Sequence, residues 1–576
     1  MLGADRSLAE PARQYDDRVG QPIDRRSFLR IAAAGAAGIV IAGGAGAGPA
    51  SALAAKKRLP ARAKRRVHSH IGTTATETTL PSGVVVSTAS WLVAENQRPG
   101  TLDWIVNFVQ PNHALEGFAS QVSAKSGDDV TLFVNTTAKA VRVDAYRMGY
   151  YQGLGGRLVF SSDTVAGVVQ PLPTVSLGIG TVSCPWSPTL SFTVDDTWPP
   201  GCYLLKLVGD GGQEQFVPLT VRDDASTAAY VFQNSVTTWQ AYNLYGGYSL
   251  YYGPNGRGGQ DFAHRARAVS FDRPYPQSWA SGAADFVGNE YPLLYDMERL
   301  GLDLTYWTDV DFHARPQLLG NHRSLFSLGH DEYWSRQMRD GAQFFTAGGG
   351  NLAFMGANAC YRQMRMQSTS IGPDRLEVCY KDAAEDPMAA QDPSLTTVDW
   401  NQPPVNDPES TLTGLTYQSV GAKADMVVTD ASSWFFDGCN LTDGHVFPNV
   451  IVGEYDRYVP SLPGPRYLDV LAHSPIPGQA NWSDLTYFTT PKGGGVMATG
   501  SAYFVFRLAA STAMPPNILP AAIPGETDVL LRAMENLYGL FGHGPAGAKQ
   551  PSSGNAGSVY SGATATVGAA VPTNSA

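Results

Sequence analysis

The stretch Ser324-Leu325-Phe326-Ser327-Leu328-Gly329-His330-Asp331-Glu332-Tyr333-Trp334-Ser335 sets the fold of the larger part of this chain. Its first five residues are a short apolar run closed by a glycine, the pattern of a buried strand, and Tyr333 to Phe345 continues with helical spacing. Outward from it the alternation repeats. Asn351 to Met355 is a strand on the C-terminal side. On the N-terminal side Ala229 to Gln233 and Leu302 to Trp307 are strands, a helix from Asn289 to Leu300 lies between them, and Thr527 to Leu540 makes a closing helix. Strand and helix alternating at this spacing give parallel βαβ units, so residues 225–543 are expected to form an α/β domain around a doubly wound parallel sheet.

The pattern before residue 225 is different. Val130-Thr131-Leu132-Phe133-Val134, Val141 to Tyr146 and Tyr203 to Leu207 alternate like half-buried strands, and Ser126-Gly127-Asp128-Asp129 and Pro199-Pro200-Gly201 read as turns between them. Residues 86–224 therefore imply an all-β sandwich of immunoglobulin or fibronectin type. Arg147-Met148-Gly149-Tyr150-Tyr151 reads as a specialised corner that touches either the next domain or a ligand. No fixed-period repeat is visible.

The chain has 576 residues, too many for one core, with 43% hydrophobic and 16% charged residues and a net charge of −10. That balance excludes a disordered or coiled-coil chain and argues against nucleic acid as partner. Residues 1–55 read as an export signal. Asp24-Arg25-Arg26-Ser27-Phe28-Leu29-Arg30 precedes a Gly-broken apolar run and the small-residue site Ala52-Leu53-Ala54, and the paired arginines resemble the twin-arginine type. This implies the twin-arginine export machinery as a partner and an extracellular, periplasmic or envelope location, with no stable membrane span. Residues 56–85 read as a basic flexible linker and 544–576, rich in Gly, Ala and Ser, as a disordered tail. Outside the cytoplasm disulfides persist, and Cys184 with Cys202 is the plausible pair; Cys360, Cys379 and Cys439 complete the five. No CxxC or Cys/His spacing suits zinc.

Ligand sites in open parallel sheets lie beyond the carboxyl ends of the strands. Two places qualify: Gly329-His330-Asp331-Glu332-Tyr333 and Gly356-Ala357-Asn358-Ala359-Cys360. The competing meaning of His-Asp-Glu is a capped helix start, where carboxylates favour the dipole. HExxH and GxSxG are absent. Cys360, just after a strand, admits a nucleophile of the kind found in class I glutamine amidotransferases, whose fold this half can share; a buried structural thiol is the commoner outcome. The aromatic stretch from Thr238 to Tyr252 reads, by itself, as packing or as a carbohydrate platform. A non-catalytic module gripping cell-envelope saccharide is thus a further alternative.

The aromatic stretch, Phe271-Asp272-Arg273-Pro274, the His-x-Glu-Tyr-Trp-Ser block, Gly356-Ala357-Asn358 and Gly453-Glu454-Tyr455-Asp456-Arg457 together resemble the C-terminal domain of the N,N-dimethylformamidase large (β) subunit family, over roughly residues 228–542. The resemblance implies an amide (carbon–nitrogen) hydrolase acting on a small-molecule substrate. It also implies a mononuclear iron, as Fe³⁺, ligated by Tyr242, Tyr251 and Glu332, with His330, Asn358 and Glu454 as catalytic groups around it. Tyr252 and Tyr275 stand as alternatives to Tyr251, and Tyr245 to Tyr242. Phenolate and carboxylate are hard oxygen donors that suit ferric iron rather than zinc. The sequence departs from the family in its Gly-rich loop Gly253 to Gly259, in a shorter gap between the two tyrosines and in its export signal, since the resembled enzyme works with a small partner subunit in the cytoplasm. A homo-oligomer remains open.

Overall fold

Five continuous apolar runs meet side by side at the centre of the protein. In the computed structural model, which describes residues 75–106, 110, 113–509 and 525–567, the central sheet has seven strands, numbered here β1 (Tyr230–Asn234), β2 (Leu304–Thr308), β3 (Ser324–Gly329), β4 (Asn351–Gly356), β5 (Leu468–Pro475), β6 (Trp482–Thr489) and β7 (Gly495–Ala498). Their spatial order is β2-β1-β3-β4-β7-β6-β5. Strands β1 to β4 and β7 pair in parallel. Every residue of these five is buried, which is why they read as uninterrupted apolar runs rather than alternating ones. β6 and β5 join antiparallel, so the sheet is mixed, not the parallel sheet expected. Direct return of the chain from β5 to β6 leaves no room for the crossover helix that parallel pairing needs.

The strand order reverses after β2: the chain leaves β1 on one side and re-enters on the other as β3. The connections leaving the carboxyl ends of β1 and β3 therefore diverge, the place where open α/β sheets set their ligand crevice. The expected helix from Tyr333 starts later, at Arg336, and runs to Ala347. Tyr333–Ser335 instead pairs in parallel with Arg362–Gln367, and Ser335 caps the helix by accepting from Met338 N at 3.3 Å.

Ahead of the central sheet lie two others. Leu115–Ala119, Asp129–Thr136 and Leu190–Thr193 form one; Ser123–Lys125, Glu214–Arg222, Gly201–Gly209, Ala140–Met148 and Gly156–Ser161 form most of the second. Leu132, Val143, Trp198, Leu205 and Leu219 fill one apolar cluster shared by the strands of both. The whole is β-rich with interspersed helices. A larger cluster crosses residue 224, joining Val86, Tyr146 and Leu204 to Phe232, Tyr295 and Leu537. The Arg147 corner proves to be part of this seam. Its buried guanidinium donates to Glu298 Oε2 and Oε1 at 2.9 and 2.8 Å, to Tyr151 Oη at 2.9 Å, to Tyr306 Oη at 3.2 Å and to Pro200 O at 2.9 Å.

Three expectations need correction. Cys184 and Cys202 are free, buried thiols, not a disulfide. Cys202 packs in the large seam cluster and approaches Asn234 Oδ1 at 3.2 Å, whereas Cys184 belongs to a separate cluster with Phe118 and Trp186. Residues 75–79, inside the expected linker, form a strand paired antiparallel with residues 85–89. The tail is not wholly disordered: Ala556–Val567 is helical, and Tyr560 Oη donates to Tyr458 O at 2.6 Å and to Asp484 Oδ2 at 2.5 Å. The leader, and the linker up to residue 74, lie outside the described residues. Among the described residues no helix is long and apolar enough to cross a membrane.

Candidate active site

The crevice beside β1, β3 and β4 gathers six side chains from distant parts of the sequence. A short helix, Val236–Tyr242, follows β1 directly. Thr237 anchors its start, donating through N and Oγ1 to Asp309 Oδ2 at 3.1 and 2.6 Å, and Tyr242 is its last residue. The chain then turns through Gly246 and Gly247 and returns to Tyr251. Arg273, buried, pins this loop by donating to the carbonyls of Asn243, Tyr245 and Tyr248 at 2.9, 2.9 and 2.8 Å. This gives the Phe-Asp-Arg-Pro block a structural role in placing the aromatic segment.

His330 and Glu332 leave the end of β3. Gly329, with φ 49°, permits the turn, and a Cβ there would lie 2.4 Å from Asn289 O. Thr238 Oγ1 accepts from Glu332 N at 2.9 Å, tying this turn to the helix that carries Tyr242. Asn358 follows β4 in the left-handed region, φ 57°. Glu454 comes from the long strand Val446–Arg457.

The hydroxyl oxygens of Tyr242 and Tyr251 and the carboxylate of Glu332 form a triangle. Tyr242 Oη lies 3.0 Å from Tyr251 Oη and donates to Glu332 Oε2 at 2.8 Å; Tyr251 Oη donates to Glu332 Oε1 at 2.5 Å. The two rings lean together with centroids 4.5 Å apart. Around this triangle, His330 Nε2 stands 2.9 Å from Glu454 Oε2 and 3.5 Å from Glu332 Oε2. Asn358 Nδ2 donates to Glu454 Oε2 at 3.0 Å. All six residues named from sequence thus meet in one place. The competing tyrosines Tyr245 and Tyr275 point elsewhere: Tyr245 Oη donates to Glu116 Oε1 at 2.8 Å, and Tyr275 packs edge-on against Trp239 and Trp279.

Charge in the site is balanced by burial against neighbours. Burial, Glu332 and Glu454 hold both Tyr242 and Tyr251 well above the usual phenol range. Burial alone would make Glu332 a weaker acid, but His330, Lys381 and Arg362 outweigh it and hold its carboxyl at about 2. Burial opposes the His330 cation, and Glu454 and Glu332 overcome it, so its pKa rises well above the ordinary value. Two basic side chains that sequence did not single out adjoin Glu332, although burial and Arg362 hold the Lys381 amine well below its ordinary pKa. Arg362 Nε reaches Glu332 Oε1 at 3.3 Å and also pairs with Asp399. Lys381 Nζ sits 3.1 Å from the centroid of the Tyr251 ring. Neither lies in a recognisable motif, and only folding brings them to Glu332.

The donor set fits a hard cation. Oxygens about 2.0–2.1 Å from an octahedral ion stand about 2.9 Å apart along an edge, close to the separations in the triangle. Among the described residues no group of three His, Cys, Asp or Glu is arranged to hold a metal; the phenols distinguish this set. One polar atom at the edge of the triangle, Asn358 Oδ1, is buried without a hydrogen-bond partner among the described residues. Such an atom fits a bound polar molecule.

Cys360 lacks the surroundings of a nucleophile. It is fully buried, burial pushes its thiol up to about 12, and Arg339 Nη1 approaches its sulfur at 3.4 Å. The carbohydrate platform also loses support: among the described residues no tryptophan is exposed, and the aromatic residues between Thr238 and Tyr252 are buried or half-buried.

No curated protein matches the chain. Among solved structures, a Paenibacillus cycloisomaltooligosaccharide glucanotransferase complexed with cycloisomaltoheptaose is similar at 9% identity over 67% of this chain and 68% of that one, with a TM-score of 0.15. A structure described as PhoD is similar at 10% identity over 75% and 98%, with a TM-score of 0.18. Overlaps this slight bear neither on fold nor on function. A family model described as N,N-dimethylformamidase beta subunit-like, C-terminal, matches residues 142–517, more than half of the chain. The chain belongs to the N,N-dimethylformamidase beta subunit-like family.

Proposed function

We propose that the protein is an amide hydrolase whose site is the crevice between β1 and β3, with a mononuclear ferric ion held by Tyr242, Tyr251 and Glu332. The observation that carries this reading is the oxygen triangle at 2.5 to 3.0 Å with His330, Asn358 and Glu454 packed on its edge. When bound, such an ion supplies Lewis acidity toward an amide carbonyl and toward water.

The remaining steps belong to the chain's own groups. Glu454, held between His330 and Asn358, takes a proton from the attacking water as its oxygen bonds to the carbonyl carbon. His330, kept protonated by the two carboxylates beside it, donates from Nε2 to the oxyanion that develops. When the carbon–nitrogen bond breaks, the proton on Glu454 passes to the leaving amine, which leaves a carboxylic acid and an amine. Asn358 Nδ2 fixes the Glu454 carboxylate, and its free Oδ1 accepts a hydrogen bond from the water or from the departing N–H.

The finer fold assignments belong to the same reading: the central sheet as a doubly wound, glutamine-amidotransferase-like core (225–543), and the strands of 86–224 as an immunoglobulin- or fibronectin-like sandwich. Export through the twin-arginine route rests on the sequence of the first 55 residues. The test is to fold the protein with Fe³⁺ and assay amine release from a panel of small primary, secondary and tertiary amides. Amine release that needs iron and is lost in Glu454→Gln supports the reading. Iron-replete protein that releases no amine from any of them overturns it.

A further inference from the structure

Asp456 lies two residues beyond Glu454 on the strand Val446–Arg457. Alternation along a strand points both side chains to one face, and both carboxylates end on the same residue. Glu454 Oε2 accepts from the Asn358 side-chain Nδ2 at 3.0 Å, while Asp456 Oδ1 and Oδ2 accept from the Asn358 backbone N–H at 2.8 and 2.9 Å. Asp456 is only 5% exposed, and its own N–H pairs with Gly500 O at 3.0 Å, so its origin is fixed.

The turn it grips needs a clamp. Asn358 and Cys360 both sit in the left-handed region, φ 57° and 53°. That conformation is unfavourable for most side chains; asparagine tolerates it better than cysteine does, and two such residues one apart persist only when surrounding contacts hold them. The N–H of Cys360 donates to Asp331 O at 2.8 Å, which leaves the Asp456 carboxylate as the tie on Asn358 itself.

Resting on the functional reading above, we propose that Asp456 is a positioning residue: it locks the backbone of Asn358 so that the Asn358 side chain meets Glu454 in the productive orientation. Burial opposes its charge and raises its carboxyl to about 8, against the pull of the Asn358 N–H. A fully buried acid pushed this far toward its neutral form, beside a candidate site, favours a functional reason over mere turn closure. The signal for this was present in the sequence, since Gly453-Glu454-Tyr455-Asp456-Arg457 places the two acids at strand spacing.

The test uses iron-loaded full-length protein and four variants: D456L, D456N, N358A and the N358A/D456L double. D456L should lower kcat by about 10–100-fold, the range for lost support of a site group. KM, iron content and the visible phenolate–iron band should stay as in wild type, because no ligand is touched. D456N keeps one acceptor oxygen and should recover about tenfold of that loss. In the N358A background, D456L should cost nothing further, since the group it positions is already gone. If D456L does not fold, D456S, smaller and polar, gives the same comparison. Additive losses in the double variant overturn the proposal. So does a crystal structure of D456L in which Asn358 keeps its φ and its contact with Glu454. Should the wild type hydrolyse no amide, the functional reading fails while that crystal structure still decides whether Asp456 holds Asn358.

Discussion

Glu332→Gln separates metal holding from folding most cleanly. The replacement keeps the volume and removes one negative charge. Glu332 accepts from Tyr242 Oη at 2.8 Å and from Tyr251 Oη at 2.5 Å. A hydrogen bond to a charged group is worth about 1.5–3 kcal/mol and a neutral one about 0.5–1.5 kcal/mol, so two such bonds weaken by about 2 kcal/mol together. One phenol also meets an amide NH2 and must turn. Arg362 keeps its second partner, Asp399, and so is not stranded. The metal-free variant should therefore unfold at a lower urea concentration but remain folded, since domains of ordinary stability have about 5–15 kcal/mol in hand. Iron binding loses an anionic donor outright and should weaken by at least about 100-fold, beyond the loss expected for a supporting residue. The assay is iron per chain after desalting, with the visible absorption of phenolate-bound ferric iron recorded on the same sample. A folded variant that keeps full iron and an unchanged band would refute the ligand assignment.

Three other outcomes rest on particular contacts. Cys360→Ala should leave kcat unchanged in an amide assay, because its thiol is buried and pushed up to about 12; loss of turnover with intact folding and iron content would revive the nucleophile reading. Arg147→Met strands the Glu298 carboxylate beside Asn96 and Tyr306, and removing one partner of a buried pair costs about 3–5 kcal/mol; an unfolding free energy within 1 kcal/mol of wild type by urea titration, on the ~3–5 kcal/mol scale, contradicts the role of that seam. His322 is buried with Nδ1 against Ala228 O at 2.7 Å, and burial lowers its pKa from 6.5 to about 4. A histidine with a depressed folded-state pKa gives stability that is complete above 6.5 and lost as pH falls toward 4. Relative to His322→Gln, wild type should lose ~3 kcal/mol between pH 7 and 4, and parallel pH profiles of unfolding for the two proteins would exclude it.

The parts of this fold that sequence made legible are those with a single cause. β1 to β4 read as strands because burial on both faces demands continuous apolar runs, and the site could be placed at their ends because chain reversal there leaves a crevice. The features that stayed hidden depend on long-range pairing. Tyr333–Ser335 shares helical spacing with the residues up to Phe345, yet it finds Arg362–Gln367 and pairs as strand. Ala556–Val567 has a low-complexity composition, yet Asn555 Nδ2 reaches Val470 O at 3.1 Å and holds the segment against β5. Lys381 and Arg362 approach Glu332 from segments with no motif of their own. Cysteine count suggested a bridge that the two separate apolar clusters do not allow.

Two buried polar networks in the same molecule show what distinguishes a site from a seam. Around Arg147 every nitrogen of the guanidinium has an acceptor, and Glu298 is further held by Asn96 Nδ2 at 3.1 Å and Tyr306 Oη at 2.7 Å. Such closure suits a device that joins two sets of strands and meets nothing else. In the crevice the balance is different. Tyr242, Tyr251 and Glu332 share protons among four oxygens, His330 Nε2 is divided between two carboxylates without an aligned bond to either, and Asn358 Oδ1 has no partner among the described residues. An unmade buried hydrogen bond costs about 1–3 kcal/mol, so a purely structural position gains by replacing those groups. Their presence beside the Asn358 turn, where two acids of one strand hold a single asparagine, is explained when a polar ligand completes the network.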